Sequence, residues 1–591
     1  MIKVSLVTLQ ILLSAGIVLG DNAAAPLPVA LAHFTGAEFN GGAKDVYGTS
    51  EGIEMINTIY SQAAGPRATM ELKFTLSSLP GEPLFVHLKA RRDGATKQCC
   101  IVIELNGQTL FKGPAAFSSE QFVTQKYAIA AGALKVGENK LAITCTEKAG
   151  RLGYPPWFRV ADCAIAPEKF VVRPDLHKDF HVKLPVKERP FPEPLPPGAE
   201  PGFKLRGTKG YAWTPKQYLS EIPYLVQFKM NFLMNCYLSM FDIEHHTNWS
   251  DGDANRWWED LSAEKKAAYE KVVRACQQQG IQFCFSMNPN LRSKRFVNDE
   301  SPESVDQLFK HYAWMQSLGV KWFNISLDDI SQGINATTQA KVVNEIFHRL
   351  RAKDATAQMI FCPTYYSGDG TRPKQQEYLE GLAKQLDKDI YLFWTGDAVI
   401  GKVTRKAADT FRRISGHRLF LWDNYPVNDN HATLNLGPVI DRDPTLGDVI
   451  DGYMGNAQCK ENESNRLPLA TCADYAYNPL AYDPERSIGQ AILHLAKTPA
   501  QRLLLADVVE NYAGFLIYSI TYTTGYNPVR REFERLIGTP FSRQAALGYI
   551  QRFETISQEM KTQFPDHYQA EQTVIDGDLK MMKTQIAVRY P

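Results

Sequence analysis

Lys321-Trp-Phe-Asn-Ile-Ser-Leu-Asp-Asp-Ile330 is an apolar, β-prone run that stops abruptly on two adjacent carboxylates, Asp328 and Asp329. A strand interior does not hold two acids, because burying unpaired charge is costly. As an isolated pair they fit a helix N-cap followed by a solvated acid. At the C-terminal mouth of a barrel strand they fit a second role, in which one carboxyl donates a proton while its neighbour stays ionised against a substrate. The flanking sequence favours the barrel.

From Phe203 onward strand-like and helix-like segments alternate. Residues 204–210, 231–237, 282–287, 321–327, 358–362, 390–394, 418–422 and 449–454 have strand character. Helical spacing covers 263–279, 302–318, 338–353, 375–386 and 404–414 between them. Eight strands separated in this way predict a (β/α)8 TIM-type barrel over 203–482, with its active site at the strand C-termini. A doubly wound open sheet is the rival, but no Gly-rich phosphate loop follows the first strand.

Upstream, residues 27–180 carry short runs of period two, such as Ile101-Val-Ile-Glu-Leu105, with an Asn106-Gly107 hairpin signal. They predict an antiparallel β-sandwich whose layout is similar to the galactose-binding-like class. It either binds sugar or braces its neighbour. Residues 181–202 form a linker with prolines at 185, 190, 192, 194, 196, 197 and 201, a density that excludes helix and central strand. After residue 483 only helical spacing remains, so 483–591 is expected to be a C-terminal helical domain.

The 591 residues are too many for one core. With 65 basic and 64 acidic side chains, the balance points to neither nucleic acid nor a membrane surface. The N-terminus has the form of a secretory signal over residues 1–24: Lys3, an apolar stretch from Val4 to Leu19, then Ala23-Ala24-Ala25. Secretion or a periplasmic location is the expectation, and no later run is long enough to span a membrane. Among ten cysteines, Cys459 and Cys472 flank a polar segment and are the expected bridge, with Cys99, Cys100, Cys145 and Cys163 as further partners. No His/Cys spacing predicts a metal site, and adjacent His245 and His246 would point apart on a strand. No cofactor is predicted.

The strand ends converge chemically. The first ends in Gly210-Tyr-Ala-Trp213 and the fifth in Phe361-Cys-Pro-Thr-Tyr-Tyr-Ser-Gly368. The sixth ends in Trp394-Thr-Gly-Asp-Ala-Val399, the seventh in Trp422-Asp-Asn-Tyr-Pro-Val-Asn-Asp429, and the eighth in Gly455-Asn456. Aromatic faces take sugar rings, while amides and carboxylates take hydroxyls. Any one of these runs could be an ordinary capped loop; together at one mouth they predict a sugar site.

In order and spacing these runs resemble the family 84 glycoside hydrolases, the retaining β-N-acetylglucosaminidases that include O-GlcNAcases. The resemblance covers roughly residues 203–480 and implies catalysis assisted by the substrate's own acetamido group, with an N-acetylglucosamine-containing glycan or glycoconjugate as partner. It implies that Asp328 polarises the acetamido N–H and that Asp329 is the acid/base. It also implies that Tyr366 supports the acetamido oxygen and that Thr395, Val399 and Trp422 shape the N-acetyl pocket. Asn424 would lie near the reacting centre and Asp429 would hold the distal hydroxyls, with further sugar contacts from Asn456 and the Gly210 carbonyl. Two departures stand out. The family's Glu-Gly-Phe-Tyr-Gly is here Lys209-Gly-Tyr-Ala-Trp213, so its Tyr is Ala212. Its strand-two Pro-Lys-Asp run, whose lysine contacts the sugar, is replaced by Asn235-Cys-Tyr-Leu-Ser-Met-Phe-Asp242, with no lysine between residues 230 and 264. The same fold could also serve a glycan-binding protein without turnover, or a glycosidase of shifted hexosamine specificity. A third alternative is hydrolysis of a sugar lacking the acetamido group through another carboxylate such as Asp397, Asp423 or Asp429, against which the retained Tyr366, Thr395 and Asn424 argue.

Overall fold

The computed structural model describes residues 31–49, 52–76, 78–94, 99–119, 122–150, 152–168, 182–241, 255–297, 301–330, 332–428, 434–459, 462–514, 527–537 and 542–589. The expected leader, His245, His246 and Asp429 lie outside these residues. The chain divides into two compact units, Met1–Asp45 with Met55–Pro174, and Val46–Glu54 with Asp175–Pro591.

The strands between Ala32 and Pro167 form two sheets, antiparallel wherever the register is described. One runs Ala43–Thr49, Gly52–Tyr60, Trp157–Pro167, Leu84–Arg92, Val123–Ala128, with Ala32–Thr35 also on Trp157–Pro167. The other runs Asn40–Gly41, Thr69–Leu76, Gly137–Cys145, Cys100–Leu105, Gln108–Pro114. Alternate residues such as Leu72, Ile103, Leu141 and Val86 bury into one apolar cluster, as period-two patterning requires. Asn106 and Gly107 both have positive φ, 51° and 82°, the backbone that a two-residue hairpin of matching twist demands.

In the second unit eight parallel strands close a barrel: Leu205–Tyr211, Phe232–Met234, Gln282–Met287, Trp322–Ser326, Gln358–Cys362, Tyr391–Trp394, Leu419–Pro426 and Ile450–Cys459. A helix follows each of the first six strands. The seventh and eighth are joined by a loop whose described residues include a short turn of 3-10 helix at Leu446–Asp448, and helix Glu463–Tyr477 follows the eighth. The interior is filled rather than hollow. Phe232 and Phe420 lie 5.0 Å apart across it, with Trp322 edge-on to Phe232. Gly452 is required there, since a Cβ on it would sit 2.3 Å from the Phe420 ring.

Two helices escape the sequence reading. Pro215–Gln227 contains Pro223 yet is well started, with Thr214 and Gln217 forming a capping box and Pro215 in the first turn. Glu463–Tyr477 is buried almost all round, so it shows no amphipathic stripe. That helix also corrects the expected bridge. Cys472 lies on it as a free, buried thiol, packed toward Tyr453 and the Asp423 carboxylate, so no Cys459–Cys472 disulfide forms. Cys99 and Cys145 are likewise free and buried, their sulfurs 3.4 Å apart.

The proline-rich segment from 182 to 202 carries neither helix nor strand. It is strapped to its own unit by hydrogen bonds: the Val182 amide donates to Glu510, that of Arg189 to Gln490 and that of Glu193 to Asp474. The five C-terminal helices, Pro484–Leu495, Pro499–Asn511, Pro528–Ile537, Ser542–Gln563 and Gln569–Arg589, belong to the same compact unit as the barrel. Among the described residues no helix is long and apolar enough to cross a membrane.

Candidate active site

The fourth strand ends over a buried polar ladder that fixes its register. Asn235 Oδ1 accepts from the Ser286 backbone amide at 2.8 Å. The hydroxyls of Ser286 and Ser326 both donate to Asn324 Oδ1, at 2.6 and 2.9 Å. Tyr312, from the helix Pro302–Ser317, anchors the same strand by donating to the Asn324 carbonyl at 2.7 Å. Past Ser326 the Leu327 amide still bonds the Cys362 carbonyl, and Thr364 Oγ1 donates to the Leu327 carbonyl. The acids therefore leave the barrel from a rigid base.

Consecutive strand residues face opposite ways, but Asp329 has φ 55°. That left-handed turn, which Asp tolerates better than most residues, breaks the alternation, and both carboxylates line one cavity of about 400 Å³. Their surroundings differ. Asp328 is 5% exposed; its Oδ2 accepts from the Tyr237 hydroxyl at 2.8 Å and its Oδ1 from Asn288 Nδ2 at 3.1 Å. Burial, and then the charge of Asp329, push its carboxyl up to about 7, while Tyr237 and Lys209 pull it down. Asp329 is exposed at the mouth and accepts from the Tyr366 hydroxyl at 2.9 Å.

Opposite the acids lies an apolar recess. Trp422 from the seventh strand, 4% exposed, lines it with Val399, Ile400 and Cys362. Thr395 closes it from the sixth strand and donates to the Ala398 carbonyl at 3.1 Å. Asn424 is held from both sides: its Nδ2 donates to the Val399 carbonyl and its Oδ1 accepts from Asn456 Nδ2, both at 2.8 Å. Two buried atoms on this lining have no hydrogen-bond partner among the described residues, the indole Nε1 of Trp422 and Oδ1 of Asn456. Buried polar groups are nearly always paired; a donor and an acceptor left open in one cavity are what a polar ligand meets.

The profile of the beta-N-acetylglucosaminidase family matches residues 207–507, more than half of the chain, from within the first barrel strand through the eighth. This chain is a family 84 glycoside hydrolase. Solved structures share its fold. A variant of the Thermobaculum terrenum O-GlcNAc hydrolase aligns with a TM-score of 0.51 at 22% identity, covering 65% of this chain and 82% of the other. CpGH84B aligns with a TM-score of 0.51 at 19% identity, covering 73% and 72%. The protein is an enzyme acting on N-acetylglucosamine-containing glycosides.

Of the residues expected in the hydrolase site, Asp328, Asp329, Tyr366, Thr395, Val399, Trp422, Asn424 and Asn456 all line this one cavity. Gly210 does not. Its carbonyl accepts from the buried Tyr218 hydroxyl at 3.2 Å, and its missing side chain makes room for Trp213, whose ring would lie 2.2 Å from a Cβ. Two of the three other carboxylates weighed for catalysis, Asp423 and Asp397, are committed elsewhere. Asp423 is buried in an ion pair with Arg442 and accepts from Tyr453, and Asp397 caps Thr404 at the start of the helix Arg405–Ser415. Among the described residues no group of His, Cys, Asp and Glu is arranged to hold a metal. Three lining or supporting residues were not foreseen. Asn288 follows the third strand, whose end carries the same polar signal as the others in Asn288-Pro-Asn290. Tyr237 sits in the segment that lacks the family's lysine, and Lys209 is a strand residue that points inward.

Proposed function

We propose that this hydrolase cleaves β-N-acetylglucosaminides with net retention, using the substrate's 2-acetamido oxygen as the nucleophile. One observation carries the proposal: two adjacent carboxylates, one buried and one at the mouth, face the same apolar recess. Asp328, held by Tyr237 and Asn288, is the group that accepts the acetamido N–H. Asp329, reachable from solvent, is the group that serves the leaving oxygen.

In the first step the acetamido oxygen bonds to the anomeric carbon as the bond from that carbon to the leaving oxygen breaks. Asp329 gives its proton to that oxygen. In the second step water attacks the anomeric carbon, the oxazoline carbon–oxygen bond opens, and Asp329 takes the proton from water. No enzyme nucleophile is needed, which is the substrate-assisted exception among glycosidases. Burial and the neighbouring charge of Asp329 raise the proton affinity of Asp328. An N–H arriving at Asp328 favours its ionised form, and the first step uses a proton carried by Asp329. Trp422, Val399 and Thr395 surround the acetyl group; Asn424 and Asn456 receive hydroxyls, and Tyr366 orients Asp329 and the acetamido oxygen. Asp429, the residue carried over for the distal hydroxyls, completes the assignment. The form of the N-terminus supports export as the setting.

The test compares aryl β-N-acetylglucosaminide with aryl β-glucoside for the wild type and Asp329→Asn. Cleavage of the acetamido sugar alone, strongly reduced in the variant, is the expected result. Equal cleavage of both sugars would refute participation of the acetamido group.

A further inference from the structure

Lys209 is the residue that the mechanism above leaves without a part. It lies on the first strand, 3% exposed, and lines the same cavity as the two acids. Its ammonium forms no ion pair or hydrogen bond with any described residue. It lies instead 4.2 Å from the Trp422 ring centre, 5.3 Å from that of Tyr237 and 5.9 Å from that of Tyr211. Such contacts are weak beside the cost of taking an ion out of water. Rings alone do not hold a charge there; the nearby carboxylates do. Tyr237 joins the two sides, with its ring face toward Lys209 and its hydroxyl on Asp328.

We propose that Lys209 is the positioning cation of this site, supplying from the first strand a positive charge that opposes the effect of burial on Asp328 and favours its carboxylate form. The proposal rests on the assignment of Asp328 made above. The groups facing Asp328 are Asp329 beside it in the chain, Tyr237 after the second strand, Lys209 on the first, Cys362 ending the fifth and Tyr366 beyond it. Of these only Lys209 is cationic. Its charge lowers the proton affinity of Asp328 and also of the Cys362 thiol.

The test is a carbon-13 NMR titration of aspartate carboxyls in the full-length protein, with Asp328→Asn identifying the resonance. Lys209→Met keeps the apolar stem and removes the charge, Lys209→Gln does so with a polar end, and Lys209→Arg retains it. The Asp328 midpoint is expected to rise by about one pH unit, tenfold in proton affinity, in the Met and Gln variants and to stay near wild type in Arg. A midpoint unmoved in both neutral variants overturns the proposal. The acid limb of aryl N-acetylglucosaminide hydrolysis should move up with the midpoint. If the midpoint moves and the turnover profile does not, the assignment of Asp328 to turnover fails while the role of Lys209 stands.

Discussion

Asp328→Asn should stabilise the protein, and more so at alkaline than at acidic pH. The wild-type carboxyl is raised to about 7, chiefly by burial, against an ordinary value of about 3.9 in the unfolded chain. Between those values the folded protein keeps a proton that the unfolded chain has released, so stability falls as pH rises through that window and levels off above it. At about 1.4 kcal/mol per unit, the carboxylate costs roughly 4 kcal/mol at pH 8 and under about 2 at pH 5. The amide escapes that cost at both. The pH-dependent part, roughly 2–3 kcal/mol, isolates charge from packing, because any misfit of the amide between Tyr237 and Asn288 is common to both conditions. An unfolding entropy of about 2.1 cal/mol/K per residue over a unit of roughly 400 residues converts this into about 3 °C. Calorimetry at pH 5 and pH 8 should therefore show the variant's gain in the barrel transition growing by about that amount. An equal offset at both pH values would refute the claim that burial holds this carboxyl against ionisation.

Other substitutions separate catalytic from structural acids. Asp329→Asn should lose most turnover on substrates with poor leaving groups and much less on activated aryl glycosides; steady-state kinetics on both classes check this, and equal losses would remove Asp329 as the acid. Asp423→Asn leaves Arg442 buried without its partner and should cost about 3–5 kcal/mol, read as a fall of several degrees in the same calorimetric transition. Asn456→Ala removes the open acceptor of the cavity, and should raise KM for the N-acetylglucosaminide several-fold with little change in melting temperature.

The barrel was legible because its strands are short apolar runs bounded by helical periods, and a strand buried on both sides leaves that signature. The third and fifth strands, Gln282–Met287 and Gln358–Cys362, fall at the expected residues. The helix Glu463–Tyr477 was not legible for a related reason: burial on every side erases the polar face that betrays a helix. At the site, motifs at the strand ends pointed to the acids and the apolar recess. They did not point to Tyr237, Asn288 or Lys209, whose parts depend on which strands meet across the barrel. Lys209 in particular reads as an ordinary strand residue until the ring of Trp422 from the seventh strand is placed beneath it. Gly210 shows the converse. A motif glycine carries a carbonyl to the site by resemblance, but here Tyr218 already donates to it.

The most direct test of acetamido participation is kcat/KM for a series of aryl β-glucosaminides whose N-acyl group carries zero to three fluorines. Each fluorine withdraws charge from the acyl oxygen, so a nucleophilic oxygen predicts a steep, regular fall across the series, with the β-anomer of the sugar as the first product seen by proton NMR. A flat series, or the α-anomer appearing first, would contradict the oxazoline route.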